Sequence, residues 1–454
     1  MKKYNEYQDI GLPWYPQGVP SHWTLMRHKN VLDEHRELVG KDADKYTLLS
    51  LSINGVIVRD LSEGKGKFSK DYDKYVVVDK GDFVFCLFDV DETPRTVGLS
   101  CNHGMITGAY DVFRPHDINS AYFYYYYLAL DNTKALKPLY SGLRKVIPYP
   151  SFMATKFPVP PREEQNQIGK YLDWQISKIN HLIHSYQKQI KLLDERKTTV
   201  INEAITHGIH ANVEMQAVEA NWLKEIPVHW EFNKVKQHFE IKKRIAGKEG
   251  YDVISITQQG LKIKDISSNE GQMAANYSKY QFVYPGDYAM NHMDLLTGFI
   301  GLSDIFGVTS PDYRVFSAID VERTDLKYFL YVFQLGYKRK IFYGLGRGAA
   351  NKGRWRMPAI NFKNYDIPVP PIEEQREIVE YIEQETEKID LLKKEVEKQI
   401  EYLREYRTRL ISDVVTGQID VRDVVIPEYT PEEDTEIDTG DAGEDVEEVA
   451  EDAE

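Results

Sequence analysis

Two long stretches of the chain place apolar residues at alternating steps of four and three, the spacing of a helical seam. Gly169 is the one glycine or proline within them. The seam positions are Ile168, Leu172, Ile176, Ile179, Ile183, Tyr186, Ile190 and Leu193 in the first stretch, and Ile378, Ile382, Ile389, Leu392, Val396, Ile400 and Leu403 in the second. Helices of about 45 residues would be roughly 65–70 Å long, too long for one small domain to bury. We therefore predict that the two helices pack on each other.

The segments outside these stretches form two copies of one module. Leu48–Phe83 aligns without a gap on Val253–Tyr288, and eleven of the 36 pairs are identical. This period is far longer than the repeats of about 20 to 50 residues that build solenoids. Short β-branched runs broken by glycine predict mixed domains with strands and some helix. The continuous aromatic run Tyr122–Leu128 is expected to pack in a core, as a helix or a buried strand.

The net charge of −14 is concentrated at one end of the sequence. Residues 427–454 contain fourteen Asp or Glu and no Lys or Arg, which leaves 57 acidic and 57 basic residues elsewhere. So acidic a segment, poor in hydrophobic residues, predicts disorder, and we expect it to aid solubility. The absence of an apolar run of about 18 residues argues against a membrane helix. With two cysteines and no apolar signal segment, we expect a cytoplasmic protein.

Each copy ends in a basic segment without acidic residues. Leu326–Tyr365 contains nine Lys or Arg, and Asn132–Pro161 contains five. A basic segment with interleaved aromatic residues is typical of proteins that bind nucleic-acid phosphates. Because the bias recurs in both copies, we favour nucleic-acid binding over a basic surface that has no ligand.

Signals for catalysis are incomplete. Gly348–Gly353 has the spacing of a P-loop, but Arg354 and Trp355 replace the Lys-Ser/Thr pair that contacts phosphate and magnesium. His181 and His184 are spaced i, i+3 on a predicted helix and could bind a metal. No third ligand is apparent, so we expect a surface pair. We therefore predict a chain with no catalytic residues and no metal site.

Several motifs occur in the same order in both copies. Pro158–Ile168 and Pro368–Ile378 share the pattern Pro-Val-Pro-Pro-x-Glu-Glu-Gln-x-x-Ile. Ile226–Trp230 reads Ile-Pro-x-His-Trp, with a looser version at Val19–Trp23, and Thr416–Asp420 closes the second helix. Over residues 1–426 the sequence resembles the specificity subunits of type I restriction–modification systems. The acidic tail lies outside that resemblance.

The resemblance implies an α+β fold: two duplicated mixed α/β target-recognition domains joined by two long antiparallel coiled-coil helices, with pseudo-twofold symmetry. It implies that each domain reads one half of a bipartite double-stranded DNA target. Two modification subunits would methylate adenine with S-adenosylmethionine, and restriction subunits would translocate and cut DNA with ATP and Mg²⁺. The chain itself would be a non-catalytic subunit without a cofactor. The predicted ranges are 1–160 and 211–370 for the domains, 161–210 and 371–426 for the helices with the closing segment, and 427–454 for the tail.

Sequence readout requires side chains that reach base edges, and we look for them near the basic segments and where the two copies diverge. Gln and Asn suit adenine edges, and Arg suits guanine. The DNA-binding candidates are Arg95, Arg144, Lys145, Gln258, Gln259, Asn291, His292, Lys338, Arg339, Arg347, Lys352, Arg354 and Arg356. Because the copies diverge, we expect two different half-sites.

Apolar residues on the helix faces away from the seam are candidates for binding the modification subunits. They are Leu182, Leu192, Leu391 and Tyr402. An alternative function is a coiled-coil scaffold whose end domains bind protein. The basic segments argue against it, and salt-dependent affinity for DNA would discriminate the two.

Overall fold

The computed structural model describes residues 2–59, 72–90, 93, 95–142, 145–258, 260–265, 276–347 and 355–432. These residues fall into two units of dense internal contact. The first unit draws on residues 1–188 and 396–454, and the second on residues 189–395. Each unit therefore combines one globular copy with portions of both long helices, whereas our predicted ranges set the helices apart.

The same elements follow one another in the two copies. The strands of the first copy are β1 (Tyr7–Gln8), β2 (Val19–Pro20), β3 (Thr24–Arg27), β4 (Leu32–Glu34), β5 (Leu49–Ser52), β6 (Gly55–Val58), β7 (Val76–Val78), β8 (Phe83–Phe85), β9 (Val97–Leu99), β10 (Gly104–Ile106), β11 (Asp111–Pro115) and β12 (Lys156–Val159). Those of the second are β13 (Met215–Ala217), β14 (Glu225–Pro227), β15 (Glu231–Lys234), β16 (Phe239–Lys242), β17 (Ile254–Thr257), β18 (Gly260–Ile263), β19 (Gln281–Val283), β20 (Tyr288–Met290), β21 (Ile300–Leu302), β22 (Gly307–Thr309), β23 (Arg314–Ala318) and β24 (Asp366–Val369). The helices are α1 (Ser120–Asn132), α2 (Tyr149–Ala154), α3 (Arg162–His207), α4 (Val235–His238), α5 (Leu326–Lys338), α6 (Ile341–Gly344), α7 (Ala359–Lys363) and α8 (Ile372–Val415).

The sheets of the two copies have the same topology. A four-stranded antiparallel sheet has the order β4-β11-β8-β9 in the first unit and β16-β23-β20-β21 in the second. The strand after each copy's opening motif pairs with the strand before its long helix, as β3 with β12 and β15 with β24. The predicted duplication of a mixed domain is therefore confirmed.

One aromatic helix fills the core of each globular copy. In the first unit, Tyr122, Phe123, Tyr126 and Tyr127 of α1 are buried, so the aromatic run packs in the core as we expected, and of the two alternatives it forms a helix. In the second unit, α5 contributes Tyr328, Phe329 and Phe333 to the core, with Phe316 of β23 and Phe362 of α7 among their neighbours. Buried aromatic rings each remove a large apolar area from water, so these helices hold the sheet and the long helices together.

The long helices begin and end at the residues that the sequence singles out. Glu163 and Glu164 lie in the first turn of α3, and Glu373 and Glu374 in that of α8. Negative charge there is favourable because the free N–H groups give the helix N-terminus a partial positive charge. Both helices are followed by a glycine with positive φ, Gly208 at +78° and Gly417 at +72°. Such a glycine ends a helix with little backbone strain.

Ion pairs give the relative direction of α3 and α8 in the second unit. Lys197 Nζ donates to both carboxylate oxygens of Asp390 at 2.7 Å, and Lys393 Nζ donates to both oxygens of Asp194 at 3.0 Å. A step of three residues forward on α3, from Asp194 to Lys197, corresponds to a step of three residues back on α8. The helices therefore run antiparallel, as the resemblance implied.

Most of the predicted seam faces away from water. The buried members are Ile168, Leu172, Ile179, Ile183, Ile378, Ile382, Ile389, Val396 and Ile400, and the half-buried ones are Ile176, Tyr186, Ile190, Leu193 and Leu403. Leu392 is a correction, because it is 57% exposed. After Ile389 the inward position is Lys393, which is half-buried and paired with Asp194. The seam thus steps by four and then three, and Leu392 falls outside it.

A buried histidine lies in the aromatic core of the first unit. His28 stacks on Phe152 and Phe157 at centroid distances of 4.6 and 5.1 Å. Its Nδ1 lies 2.6 Å from the carbonyl oxygen of Phe152, and its Nε2 is hydrogen-bonded to the hydroxyl of Tyr127. Burial lowers the pKa of His28 to about 4, and the hydrogen bond to Phe152 offsets only part of that shift. The folded chain therefore keeps this ring neutral.

We expect His28 to make the first unit sensitive to acid. Below the ordinary histidine pKa, the His28 ring binds a proton in the unfolded chain but stays neutral in the folded chain. The free energy of unfolding therefore falls as the pH falls from about 6.5 to 4, by about 3 kcal/mol in all. The His28→Phe variant should show a flatter dependence of the free energy of unfolding on pH over that range. Tyr127→Phe is the control, because it removes a hydrogen bond but keeps the buried ring. Equal slopes in the two variants would contradict this assignment.

Candidate nucleic-acid interface

The shared motifs join each globular copy to its long helix. In the first unit, the buried carboxylate of Glu164 accepts hydrogen bonds from Tyr4 at 2.5 Å and Trp23 Nε1 at 3.0 Å, and lies 2.8 Å from His22 Nε2. In the second unit, Glu374 lies 2.7 Å from His229 Nε2. The Pro-x-His-Trp and Glu-Glu-Gln motifs are thus two halves of one structural contact.

The glutamine after these acids performs a second structural role. Gln165 Oε1 accepts a hydrogen bond from the backbone N–H of Asn119 at 2.9 Å, and Gln375 Oε1 accepts one from that of Asp325 at 2.8 Å. Asn119 and Asp325 are the N-caps of α1 and α5. The family motif therefore fixes each core helix against its long helix and leaves sequence readout to other residues.

A basic hairpin follows the core helix in each copy. In the first unit, Ser141 and Val146 pair across the base of the hairpin, and the next residue, Ile147, donates its N–H to the carbonyl of Leu87 at 2.7 Å. In the second unit, Arg347 and Arg356 pair in the same way, and Met357 N–H donates to the carbonyl of His292 at 3.0 Å. The loop between the paired residues has four residues in the first hairpin and eight in the second. The base is the same in both copies, and the length of the tip differs.

The hairpins carry several of the predicted DNA-binding residues. Arg347 and Arg356 are exposed at the base of the second hairpin, and Lys145 is half-buried in the first, with a left-handed φ of +48°. Arg144, Lys352 and Arg354 belong to the hairpins by sequence and lie outside the described residues. Exposed guanidinium groups at the base of a hairpin suit contacts with phosphates and base edges.

A buried arginine beneath the second hairpin was missed at the sequence level. Arg314 is 5% exposed, and its Nη2 donates to the carbonyl of Met357 at 2.8 Å. Its guanidinium lies over the ring of Phe362 at 5.0 Å. The pKa of His292 is lowered to about 4, mainly by burial and to a smaller extent by the positive charges of Arg314 and Arg356. Arg314 thus anchors the base of the hairpin. A lone arginine at a strand end, outside the basic segment, gave no signal of this role.

Three candidates make contacts within the fold, and their assignment to base edges stays a prediction. Arg95 Nε and Nη2 donate to the carbonyl of Ile53 at 3.2 and 3.1 Å, so its guanidinium is held inside the first unit. Asn291 Oδ1 accepts from the N–H of Met293 at 3.2 Å, as an asparagine in a turn does. His292 is half-buried, and its carbonyl supports the hairpin.

The remaining candidates that the structure describes lie on the surface of the second unit. Lys338 and Arg339 are exposed at the end of α5, and Arg339 Nη1 donates to Asn202 Oδ1 at 3.2 Å. Gln258 is exposed in the turn between β17 and β18, and Gln259 lies outside the described residues. Lys338 and Gln258 line the same cleft.

One group of side chains in the described residues has the composition of a metal site. Ligand atoms of His35, Asp79 and Asp82 lie within 4.8 Å of one another. Arg114 Nη2 lies 2.6 Å from Asp79 Oδ2 and 3.2 Å from His35 Nδ1, and Nε lies 3.4 Å from Asp82 Oδ1. The guanidinium therefore supplies the cation that neutralises these acids, and the group is best described as an ion-pair network.

His181 and His184 have a partner that the sequence did not reveal. His181 Nδ1 lies 3.0 Å from Glu432 Oε2, and His184 Nδ1 lies 2.6 Å from Oε1. Hydrogen bonds with His184 and His181 hold the pKa of the Glu432 carboxyl below its usual range. Ser177 Oγ donates to the carbonyl of Thr430 at 3.1 Å. Residues 427–432 are therefore held on α3, although we predicted disorder from Pro427.

The predicted partner-binding residues are accessible. Leu182, Leu192, Leu391 and Tyr402 are all exposed, at 46% to 61% of their surface. Single exposed apolar groups are common on protein surfaces, and their exposure leaves these four residues accessible to a partner. Within the described part of the chain, no helix is long and apolar enough to cross a membrane.

The sequence is similar to two specificity subunits of type I restriction enzymes. Two relatives from Methanocaldococcus jannaschii are each 26% identical. The type I restriction enzyme MjaVIII specificity subunit aligns over 292 residues, 60% of this chain and 64% of the relative. The putative type I restriction enzyme MjaX specificity subunit aligns over 280 residues, 59% of this chain and 60% of the relative. The chain thus spans less than two thirds of the length of these relatives.

A solved structure shares the fold. A chain described in work on complex assembly and conformational transition of the type I R-M system matches with a TM-score of 0.59 and 14% identity, over 89% of this chain and 100% of that one. The family model of the type I restriction modification DNA specificity domain matches residues 61–192 and 227–402, one match in each copy. Because these matches cover more than half of the chain, and the resemblance seen in the sequence is confirmed, the chain belongs to the type I restriction–modification DNA specificity family.

Proposed function

We propose that this chain reads a bipartite DNA target, one half with each globular copy, and thereby directs adenine methylation and DNA cleavage by partner subunits. The observation that carries the proposal is the pair of basic hairpins, built on the same base and differing in the length and sequence of the tip. A hairpin base that is the same in both copies would hold each copy in the same way against the DNA backbone. Tips that differ between the copies would make different contacts with base edges.

The hairpins also support the proposal of two different half-sites. A loop of four residues presents fewer side chains to a groove than a loop of eight. Direct readout depends on which donors and acceptors reach the base edges. Two tips of different length and sequence are therefore suited to two different sequences rather than to a palindrome.

Partner subunits complete the proposed activity. We place the binding of two modification subunits on the exposed apolar groups Leu182, Leu192, Leu391 and Tyr402. The modification subunits would supply S-adenosylmethionine, and restriction subunits would supply the ATP- and Mg²⁺-dependent steps. This chain would contribute no catalytic group. Its location would be the cytoplasm, where cellular DNA is accessible.

The test of this function is a methylome. The chain is co-expressed with the modification subunit of its own operon, and modified adenines in the host DNA are mapped by sequencing. We expect a new motif with two different halves and a fixed gap, methylated on both strands. A stable complex that leaves no modified motif would reject the proposal and favour a scaffold that binds protein.

Removing the two exposed arginines of the second hairpin should weaken DNA binding. We expect the double variant Arg347→Ala with Arg356→Ala to reduce affinity by about tenfold at physiological salt and to lower the slope of log affinity against log salt by about 1 to 2. Each phosphate contact that forms releases counterions from the DNA, so a variant with fewer contacts releases fewer of them on binding. The measurement is fluorescence anisotropy of a labelled target duplex with the assembled complex. Arg376→Ala is the control, because Arg376 is exposed on α8 and paired with Glu373.

If the double variant and the control both keep the wild-type affinity and salt slope, this hairpin is not part of the DNA-binding surface. A loss of affinity limited to targets with one changed base would instead assign base readout, rather than phosphate binding, to these arginines.

A further inference from the structure

A cationic cleft of about 590 Å³ lies in the second unit, beside the end of α5. It is bordered by α5, β21 and the turn before β18, with α3 and α8 on another side. Its polar and charged lining includes Lys197, Gln258, Gln334, Lys338 and Lys340. The cleft is larger than a single small ion requires, and its lining offers cations together with amide groups.

The positive charge of the cleft is incompletely neutralised. Lys197 is paired with Asp390, but within the described part of the chain no carboxylate forms an ion pair with Lys338 or Lys340. Partial burial and the nearby charge of Lys197 lower the pKa of Lys338. The positive charges of Lys197 and Lys338 repel one another, and a bound anion would relieve that repulsion.

In the first unit, the residues after the corresponding core helix include a lysine that is neutralised by an acid. Lys134 follows α1 as Lys340 follows α5, and both have a left-handed φ, +48° and +55°. Lys134 Nζ donates at 2.8 Å to the buried carboxylate of Asp131. Arg95 Nη1 lies 3.5 Å from the same carboxylate. The cations of the first unit are thus neutralised internally.

One exchange between the copies removes the acid from the second unit. The position of Asp131 on α1 corresponds to Tyr337 on α5, whose hydroxyl donates to the carbonyl of Asn291 at 2.7 Å. A neutral phenol fills the space but cannot neutralise the neighbouring lysines. The second unit therefore has no acid at the position of Asp131, while Lys340 occupies the position of Lys134 and Lys338 that of Asn132.

We propose that this cleft binds a backbone phosphodiester of the target DNA, and that the first unit contacts DNA without a matching phosphate site. The proposal rests on the proposed DNA-reading function. Lysine ammonium groups neutralise phosphate charge, and the amide of an exposed glutamine can donate to a phosphate or sugar oxygen. A contact of this kind positions the duplex against the second hairpin without itself reading sequence.

The test uses the assembled complex and a duplex that contains the mapped target. We expect Lys338→Gln with Lys340→Gln to lower the salt slope by about 1 to 2 and the affinity by about tenfold, with the methylated motif unchanged. Lys327→Gln is the matched control on the same helix, because Lys327 is exposed and paired with Glu383. It should leave the slope unchanged.

A second variant keeps the lysines and supplies the missing acid. Gln334→Glu places a carboxylate within the cleft, and we expect it to reduce affinity and salt slope as the double lysine variant does. If wild-type complex binds the target and neither variant changes the slope, the cleft assignment is overturned while the proposed function stands. If wild-type complex shows no salt-dependent DNA binding, both are overturned.

Discussion

Ile382→Ala should lower the free energy of unfolding by about 3 to 4 kcal/mol, whereas Leu392→Ala on the same helix should change it by less than about 0.5 kcal/mol. Ile382 is fully buried in the core of the second unit, and Leu392 is 57% exposed. Truncating a buried isoleucine removes apolar contacts and leaves a cavity. At an exposed position little burial is lost.

Urea unfolding followed by circular dichroism measures both values, with the wild-type chain as the reference. The two positions are equivalent by the apolar pattern of the sequence, so the pair tests the register of α8 rather than hydrophobicity in general. Similar losses at both positions would restore Leu392 to the seam and contradict the ion pair between Lys393 and Asp194.

Gly417→Ala should destabilise the first unit by about 3 kcal/mol, more than the same change at Gly11. Both glycines have positive φ, +72° and +64°, so each variant pays about 1 kcal/mol or more in backbone strain. At Gly417 a Cβ would lie 2.3 Å from Pro20 Cδ, whereas at Gly11 it would meet no atom within 4 Å. The additional loss at Gly417 comes from this close approach.

Thermal unfolding of the two variants separates the steric contribution from the backbone contribution. Pro20→Ala introduced into the Gly417→Ala chain should recover part of the loss, because it removes the ring atoms that the new methyl group meets. Equal losses at Gly11 and Gly417, without recovery, would show that the contact between the end of α8 and Pro20 contributes nothing.

Periodicity and repetition in the sequence were sufficient to predict the architecture. The two long helices, the duplicated domains and the burial of the aromatic run Tyr122–Leu128 all follow from spacing and residue type. The register of α8 near Leu392 did not follow, because the apolar pattern selects Leu392 rather than Lys393 as the residue between Ile389 and Val396. The exposure of Leu392 and the pairing of Lys393 with Asp194 across the two helices show the other register.

The candidate interface was predicted less completely, since its decisive contacts join residues far apart in the sequence. Divergence between the copies pointed to the region of the hairpins, but the difference in loop length depends on which residues pair at the base. Arg95 resembles a base-reading arginine until its contact with the carbonyl of Ile53 is seen. The contact of Glu432 with His184 spans 248 residues and leaves no local signal.

The grouping of residues into units has a consequence for the order in which the chain acquires its structure. The second unit is continuous in sequence, so the ribosome has made all of its residues before it adds Val396. The first unit contains contacts between its two ends, such as that of Tyr7, whose hydroxyl donates to the carbonyl of Gly417, 410 residues away. Domains generally fold as units during synthesis, and closing a long loop costs entropy before its contacts form. The domain that begins first is therefore completed last.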